Sequence, residues 1–204
     1  MNSCPNPRAR RGPGYLTALC CTLLLALGPT AIAQKSQTLL AVTLDPAATA
    51  IHWTLNTTLH TVHGTFKLKS GAFKIDPATG DASGLIVVDA TSGESGDPSR
   101  DKRMHAAILE SAQYPTIIFR PTHVDGPIDL AASGPVTVHG ILDLHGQDHP
   151  LQITVNLHPQ ASAVALATHF TVPFVAWGLK DPSTFVFRTD KEVLLDIDAT
   201  ITPR

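Results

Sequence analysis

The chain has 204 residues, 43% of them hydrophobic and only 5% aromatic, with 15 Lys and Arg against 17 Asp and Glu. That length supports one domain with a real core. The slightly acidic balance excludes the basic footprint of a nucleic-acid binder, and it excludes a protein held on an anionic membrane by charge alone.

The N-terminal segment reads as a targeting signal. Arg8, Arg10 and Arg11 precede an apolar run from Leu16 to Leu27, which Gly28-Pro29 breaks before the small residues of Ala31-Ile32-Ala33. This is the order of a secretory signal. About a dozen apolar residues are too few to cross a hydrocarbon core of roughly 30 Å as a helix. Cleavage is expected after Ala33, so residues 1–33 are the signal peptide and 34–204 the mature domain. An uncleaved anchor is one alternative. A lipoprotein is another, but the apolar run continues past Cys20 and Cys21, whereas a lipidated cysteine should end it. Cys4, Cys20 and Cys21 are the three cysteines, so the mature chain holds no disulfide and no thiol chemistry. Without Arg8, Arg10 and Arg11 the charge is 12 Lys and Arg against 17 Asp and Glu, or −5. No second long apolar run follows, so the mature chain is expected to have no integral membrane span.

From there the pattern has a period of two. Ile51, Trp53 and Leu55 alternate with His52, Thr54 and Asn56. Phe66 and Leu68 are even-numbered, Phe73 and Ile75 odd-numbered. The parity switch across Ser70-Gly71 predicts a bulge or bend. Leu85 to Val88 is continuously apolar. Asp97 to Leu109 then reads as a short helix, with Asp97 as N-cap, Pro98 at the first helical position, and Met104 and Ile108 one turn apart. Tyr114-Pro115 leads into a strand from Thr116 to Phe119. Val136, Val138, Gly140, Leu142 and Leu144 share a face, as do Leu151, Ile153, Val155 and Leu157. Further strands are expected at Val164 to Val172 and at Thr184 to Arg188. The last one has Leu195, Ile197, Ala199 and Ile201 opposite Asp196, Asp198, Thr200 and Thr202.

Turn residues separate these runs, which makes eight to nine strands and a sandwich or a barrel. Closing the sheet buries the apolar face and removes exposed edges. At about eight strands the interior is either filled by side chains or holds one small ligand. The inward set is expected to be Trp53, Leu55, Phe66, Leu68, Phe119, Val138, Leu142, Phe170, Phe185 and Phe187. The competing reading of the same residues is a packed core.

Nothing in the pattern provides catalytic apparatus. There is no Gly-x-Ser-x-Gly, no cysteine nucleophile and no carboxylate pair on an apolar strand face. Asp196 and Asp198 share the wet face. Ser92-Gly93-Glu94-Ser95-Gly96 lacks the ending of a phosphate loop. All ten histidines lie in the mature chain, but His60-x-x-His63 and His145-x-x-x-His149 fall outside the predicted helix. His52, His139, His145 and His158 fall on polar strand faces. No metal, no cofactor and no enzyme are therefore expected.

The segment from Arg100-Asp101-Lys102-Arg103-Met104 to Tyr114-Pro115-Thr116-Ile117-Ile118-Phe119 resembles the YceI-like family of bacterial polyisoprenoid-binding proteins. Leu44-Asp45-Pro46 with Ile51-His52-Trp53 is similar to the family's opening. Thr61-Val62-His63-Gly64-Thr65-Phe66 is similar to its Val-x-Gly-x-Phe. Val138 to Gly146 with His149-Pro150-Leu151 is similar to its strand, His-Gly turn and next strand. The likeness covers about residues 40–202. It implies an all-β fold, an extended eight-stranded antiparallel lipocalin-like barrel with one short helix. It also implies a periplasmic protein holding an isoprenoid or other lipid. A polar head would need partners at the mouth, for which Arg100 and His105 on the helix are the candidates; ordinary surface or helix packing is the competing reading of both. A homodimer stays open. The chain departs from the family at Val172 to Ser183, where commoner members carry an Arg-x-x-Phe-Gly type sequence. That leaves the ligand's identity open.

Overall fold

The computed structural model describes residues 39–126 and 128–203; the expected signal peptide, residues 1–33, lies outside them. Nine strands form one antiparallel sheet: β1 (Leu40–Leu44), β2 (Ala50–Asn56), β3 (Thr61–Ile75), β4 (Ala82–Glu94), β5 (Thr116–Asp125), β6 (Gly134–Leu144), β7 (Gln147–Pro159), β8 (Val164–Val172) and β9 (Val193–Pro203). Among the described residues one α-helix, α1 (Pro98–Ala107), joins β4 to β5.

The nine strands make an eight-stave barrel because β1 and β2 share one stave. Val42 of β1 pairs with Phe73 of β3, and Leu44 with Ile201 of β9. Farther along the same two neighbours, Ile51 of β2 pairs with Phe66, and Trp53 with Leu195. Between them Asp45 accepts a hydrogen bond from the Ala47 N–H at 2.9 Å, and Pro46 opens one 3₁₀ turn that breaks the ladder. Pairing of β3 with β4 closes the ring.

Bulges re-aim the long strands. The β3–β4 register slips between Leu68 and Ser70, so inward positions change from Phe66 and Leu68 to Phe73 and Ile75, where the sequence parity switches. A second slip in β5, between Pro121 and His123, moves the inward set from Phe119 and Pro121 to Val124. Pro121 has no N–H to give the ladder, which suits it to a bulge.

The segment Thr184 to Arg188, expected as a strand, is not one. Val172 of β8 pairs directly with Val193 of β9, so residues 173–192 are looped out beyond the barrel wall. Within the loop the Thr184 N–H donates to Phe187 O at 2.8 Å, and the Phe187 N–H to Thr184 Oγ1 at 3.0 Å, closing a tight turn. Its alternating Thr-Phe-Val-Phe-Arg imitates a strand, but only its end, at Arg188 and Thr189, meets a neighbour, the turn at Thr57 and Thr58.

The loops sort into two ends. Residues 57–60, α1 with its flanks, His145-Gly146 and 173–192 gather at one, the helix end. Turns 76–81 and 160–163 and residues 128–133 gather at the other, the far end. The far end is packed: Val42, Ile75, Val124, Leu157, Val164 and Ile201 are buried together, and Ile128 and Leu130 pack on them. At the helix end a smaller cluster of Leu144, Val172, Phe174 and Leu179 is joined by Ile108, Leu109 and Leu195.

Candidate functional site

Between these clusters lies a cavity of about 740 Å³, within the roughly 300–1,000 Å³ range of small-molecule sites. Its walls are the inward positions of every strand: Trp53 and Leu55, Val62 and Phe66, Ile86 and Val88, Phe119, Val138 and Leu142, Ile153 and Val155, Leu166 and Phe170, and Leu195 and Ile197. Lining residues run from Val136 to Leu144 on β6. With the usual rise and barrel tilt that makes a bore of roughly 20 Å.

Two glycines set the shape of the wall. A Cβ at Gly140 would lie 2.5 Å from Phe119 Cζ, and one at Gly64 would lie 2.2 Å from Trp53 Cζ2. Both rings lie against bare backbone, which keeps their bulk out of the bore.

No carboxylate lines the cavity among the described residues. Its ionisable groups are His60, Arg100 and Arg103, and all three belong to the helix end. The bore reaches the surface there, since Leu59 and Phe187 both line it and stand 69% and 50% exposed. The mouth is thus bounded by the β2–β3 turn, α1 and the loop around Pro182 to Thr189.

Local chemistry fixes the cations. Asp97 Oδ1 accepts from the Ser99 and Arg100 N–H groups at 2.8 and 3.1 Å, capping α1. These backbone donors, Arg100 first, hold the Asp97 carboxyl below the usual carboxylate range. Arg100 Nε and Nη2 donate to Ser95 Oγ and O at 2.7 and 2.8 Å, and Ser95 also donates to Asp101. Arg103 Nη2 donates to Pro182 O at 3.2 Å. Beside it, Ser183 lowers the Asp181 carboxyl, through its side chain first and its N–H second. Among the described residues neither Arg100 nor Arg103 forms an ion pair.

Of the residues singled out from sequence, Trp53, Leu55, Phe66, Leu68, Phe119, Val138, Leu142, Phe170 and Phe187 line the cavity, as does Arg100. Phe185 does not: it is 98% exposed, because the turn at Thr184–Phe187 puts it at the tip. His105 does not either. Its Nε2 bonds Gly93 O at 2.8 Å and its Nδ1 bonds Ser111 Oγ at 2.9 Å, so both nitrogens bind α1 to its surroundings. Sequence reasoning missed Arg103 and Met104. Their spacing from Arg100, three and four residues, puts all three on one helix face. Trp177 stacks on His149 with ring centroids 4.3 Å apart, while Phe174 and Leu179 of the same loop are buried over the bore.

This geometry has solved counterparts. A polyisoprenoid-binding domain from Saccharophagus degradans implicated in plant cell wall breakdown superposes with a TM-score of 0.60 at 19% identity, over 81% of this chain and 99% of its own. BcnA from Burkholderia cenocepacia gives 0.63 at 15% identity, over 77% and 98%. At such identities the likeness shows a shared fold. No curated protein sequence matches significantly. The model of the YceI-like domain matches residues 42–201, from β1 to β9. With the match running through the whole barrel, the chain belongs to the YceI-like family.

Proposed function

We propose that this chain is a non-catalytic binding protein that carries or stores one long apolar lipid, a polyisoprenoid or similar amphiphile, inside its barrel. It acts in the periplasm after export by residues 1–33. The observation that carries this reading is the bore itself, about 740 Å³ of apolar wall opening at a rim of arginines. Each buried CH₂ contributes roughly 0.8 kcal/mol. A chain of about twenty carbons therefore gains roughly 16 kcal/mol gross, against association costs of about 4–15 kcal/mol. Affinity then needs a dry channel and few polar contacts. The Saccharophagus relative, described as polyisoprenoid-binding, supports the ligand class. Arg100 and Arg103 stand where a tail threaded from the mouth would leave its polar head, and two guanidinium groups suit an acidic one.

Mass spectrometry of natively purified protein tests this. Co-purified lipid with a long apolar tail is expected. Val138→Phe, which narrows the bore without adding polarity, and Leu142→Asp, which puts a charge on the inward face, should each abolish it. A wild-type protein free of lipid, or a Val138→Phe protein that carries the wild-type load, would overturn the proposal. The first outcome would favour a structural or interaction barrel that takes no ligand.

A further inference from the structure

Four of the six large hydrophobic side chains exposed among the described residues lie at one place. Leu59 is 69% exposed, Phe185 98%, Val186 72% and Phe187 50%. They are held there by built structure. Thr57 bridges Thr189, the Thr58 N–H donates to Arg188 O at 3.0 Å, and the Asp190 N–H donates to Asn56 O at 2.9 Å. The β2–β3 turn and the 184–187 turn are thereby fastened side by side, and the Thr184–Phe187 hydrogen bonds present Phe185 and Val186 outward. Leu59 and Phe187 also line the cavity, so the exposed edge runs without a break into the bore.

We infer that Leu59 and the Phe185-Val186-Phe187 tip form a docking edge that seats the mouth of the barrel on a lipid bilayer. Four side chains on two turns are far fewer than the 20–30 residues a side of a stable protein interface. They suffice for a wedge sunk about 5–10 Å into the boundary between head groups and acyl chains. Charge biases the orientation. Segment 180–192 is balanced, with Lys180, Arg188 and Lys191 against Asp181, Asp190 and Glu192, and α1 with its flanks is nearly so, with Arg100, Lys102 and Arg103 against Glu94, Asp97, Asp101 and Glu110. The far-end segments 76–81 and 125–133 carry Asp76, Asp81, Asp125 and Asp129 with no Lys or Arg. An anionic surface therefore repels the far end more strongly than the near-neutral mouth, whose apolar tip then decides which end inserts. The choice of a bilayer rests on the lipid-binding proposal, because a lipid cargo is exchanged with a membrane.

The test uses the exported protein with vesicles of phosphatidylethanolamine and phosphatidylglycerol. Wild type should float with them. Phe185→Asp combined with Val186→Asp should reduce the bound fraction about tenfold or more, from the loss of two apolar insertions, with an unchanged melt and an unchanged load of co-purified lipid. A Phe185→Trp probe should be quenched by brominated acyl chains, beyond the signal of the native Trp53 and Trp177. A wild type that stays off vesicles, including one that instead captures a protein, overturns the inference. So does a double variant that floats as wild type does, or a Trp at 185 that is not quenched. A wild type that carries no lipid yet floats through the tip overturns the carrier proposal and upholds the docking edge.

Discussion

At Gly140 one hydrogen in place of a methyl group decides how a wall packs. A Cβ there would meet Phe119 Cε2 at 2.6 Å and Arg120 O at 2.6 Å. The ring can turn, but the β5 carbonyl is held in the ladder by the Arg120–Ile141 and Pro121–Gly140 pairs. Gly140→Ala should therefore strain the β5–β6 seam and destabilise the protein by about 1–3 kcal/mol. Urea unfolding checks this; a midpoint equal to that of wild type would mean the seam gives way freely. Alternation alone places Gly140 on the inner face, in line with Val138 and Leu142. It says nothing about Phe119 needing the space, because that contact joins strands some twenty residues apart in sequence. The same limit explains Phe185. Its parity is right for an inward strand residue, and only the direct pairing of Val172 with Val193 excludes it from the barrel.

The element most legible from local sequence is α1, and its cap makes it sensitive to acid. Asp97 and Pro98 mark the start of the helix, and both take the expected roles. Local rules did not reveal that Arg103 reaches Pro182, since that contact crosses to a loop with no regular structure. The Asp97 carboxylate accepts from two backbone N–H groups, which lowers its folded pKa below the ordinary value of about 3.9. A depressed carboxylate contributes stability that is fully present above the unfolded value and lost as pH falls through the folded one. The first turn of α1 should thus hold at neutral pH and loosen in acid, taking Arg100 with it. Amide shifts of Ser99 and Arg100 followed from neutral to acid pH should show a midpoint below 3.9. A midpoint at or above that value would refute the cap's electrostatic role. Asp97→Asn keeps an acceptor and should remove the pH dependence, whereas Asp97→Ala should speed hydrogen exchange in this turn at every pH.

Over the whole molecule, closure and hollowness are separate properties, and the sequence was informative about only one of them. Strict alternation in β6, β7 and β9 demands a sheet with one buried face, and eight staves follow from strand count once β1 and β2 are seen to share a place. Whether inward side chains meet in the middle depends on their summed bulk and on the bulges at Leu68–Ser70 and Pro121–His123. No local pattern encodes that sum. At the far end Val42 and Ile201, almost fully buried, form the closed floor of the bore, which stays open between there and the mouth.

If the bore carries a lipid as proposed, the barrel's stability should depend on that cargo. Ligand that binds only the folded state stabilises it by RT ln(1 + [L]/Kd), about 4 kcal/mol at a thousandfold excess over Kd. For a domain of this size each kcal/mol moves the melting temperature by roughly 2–4 °C. Protein as purified should accordingly melt about 8–16 °C above protein stripped of lipid. The stripped form should recover on adding a long-chain isoprenoid alcohol, and should not recover with a short one that leaves the far part of the bore empty. Scanning calorimetry of the two forms, with lipid content measured on the same samples, decides the matter. Equal melting temperatures would mean that the cavity confers no linkage and that any lipid found with the protein rests on its surface.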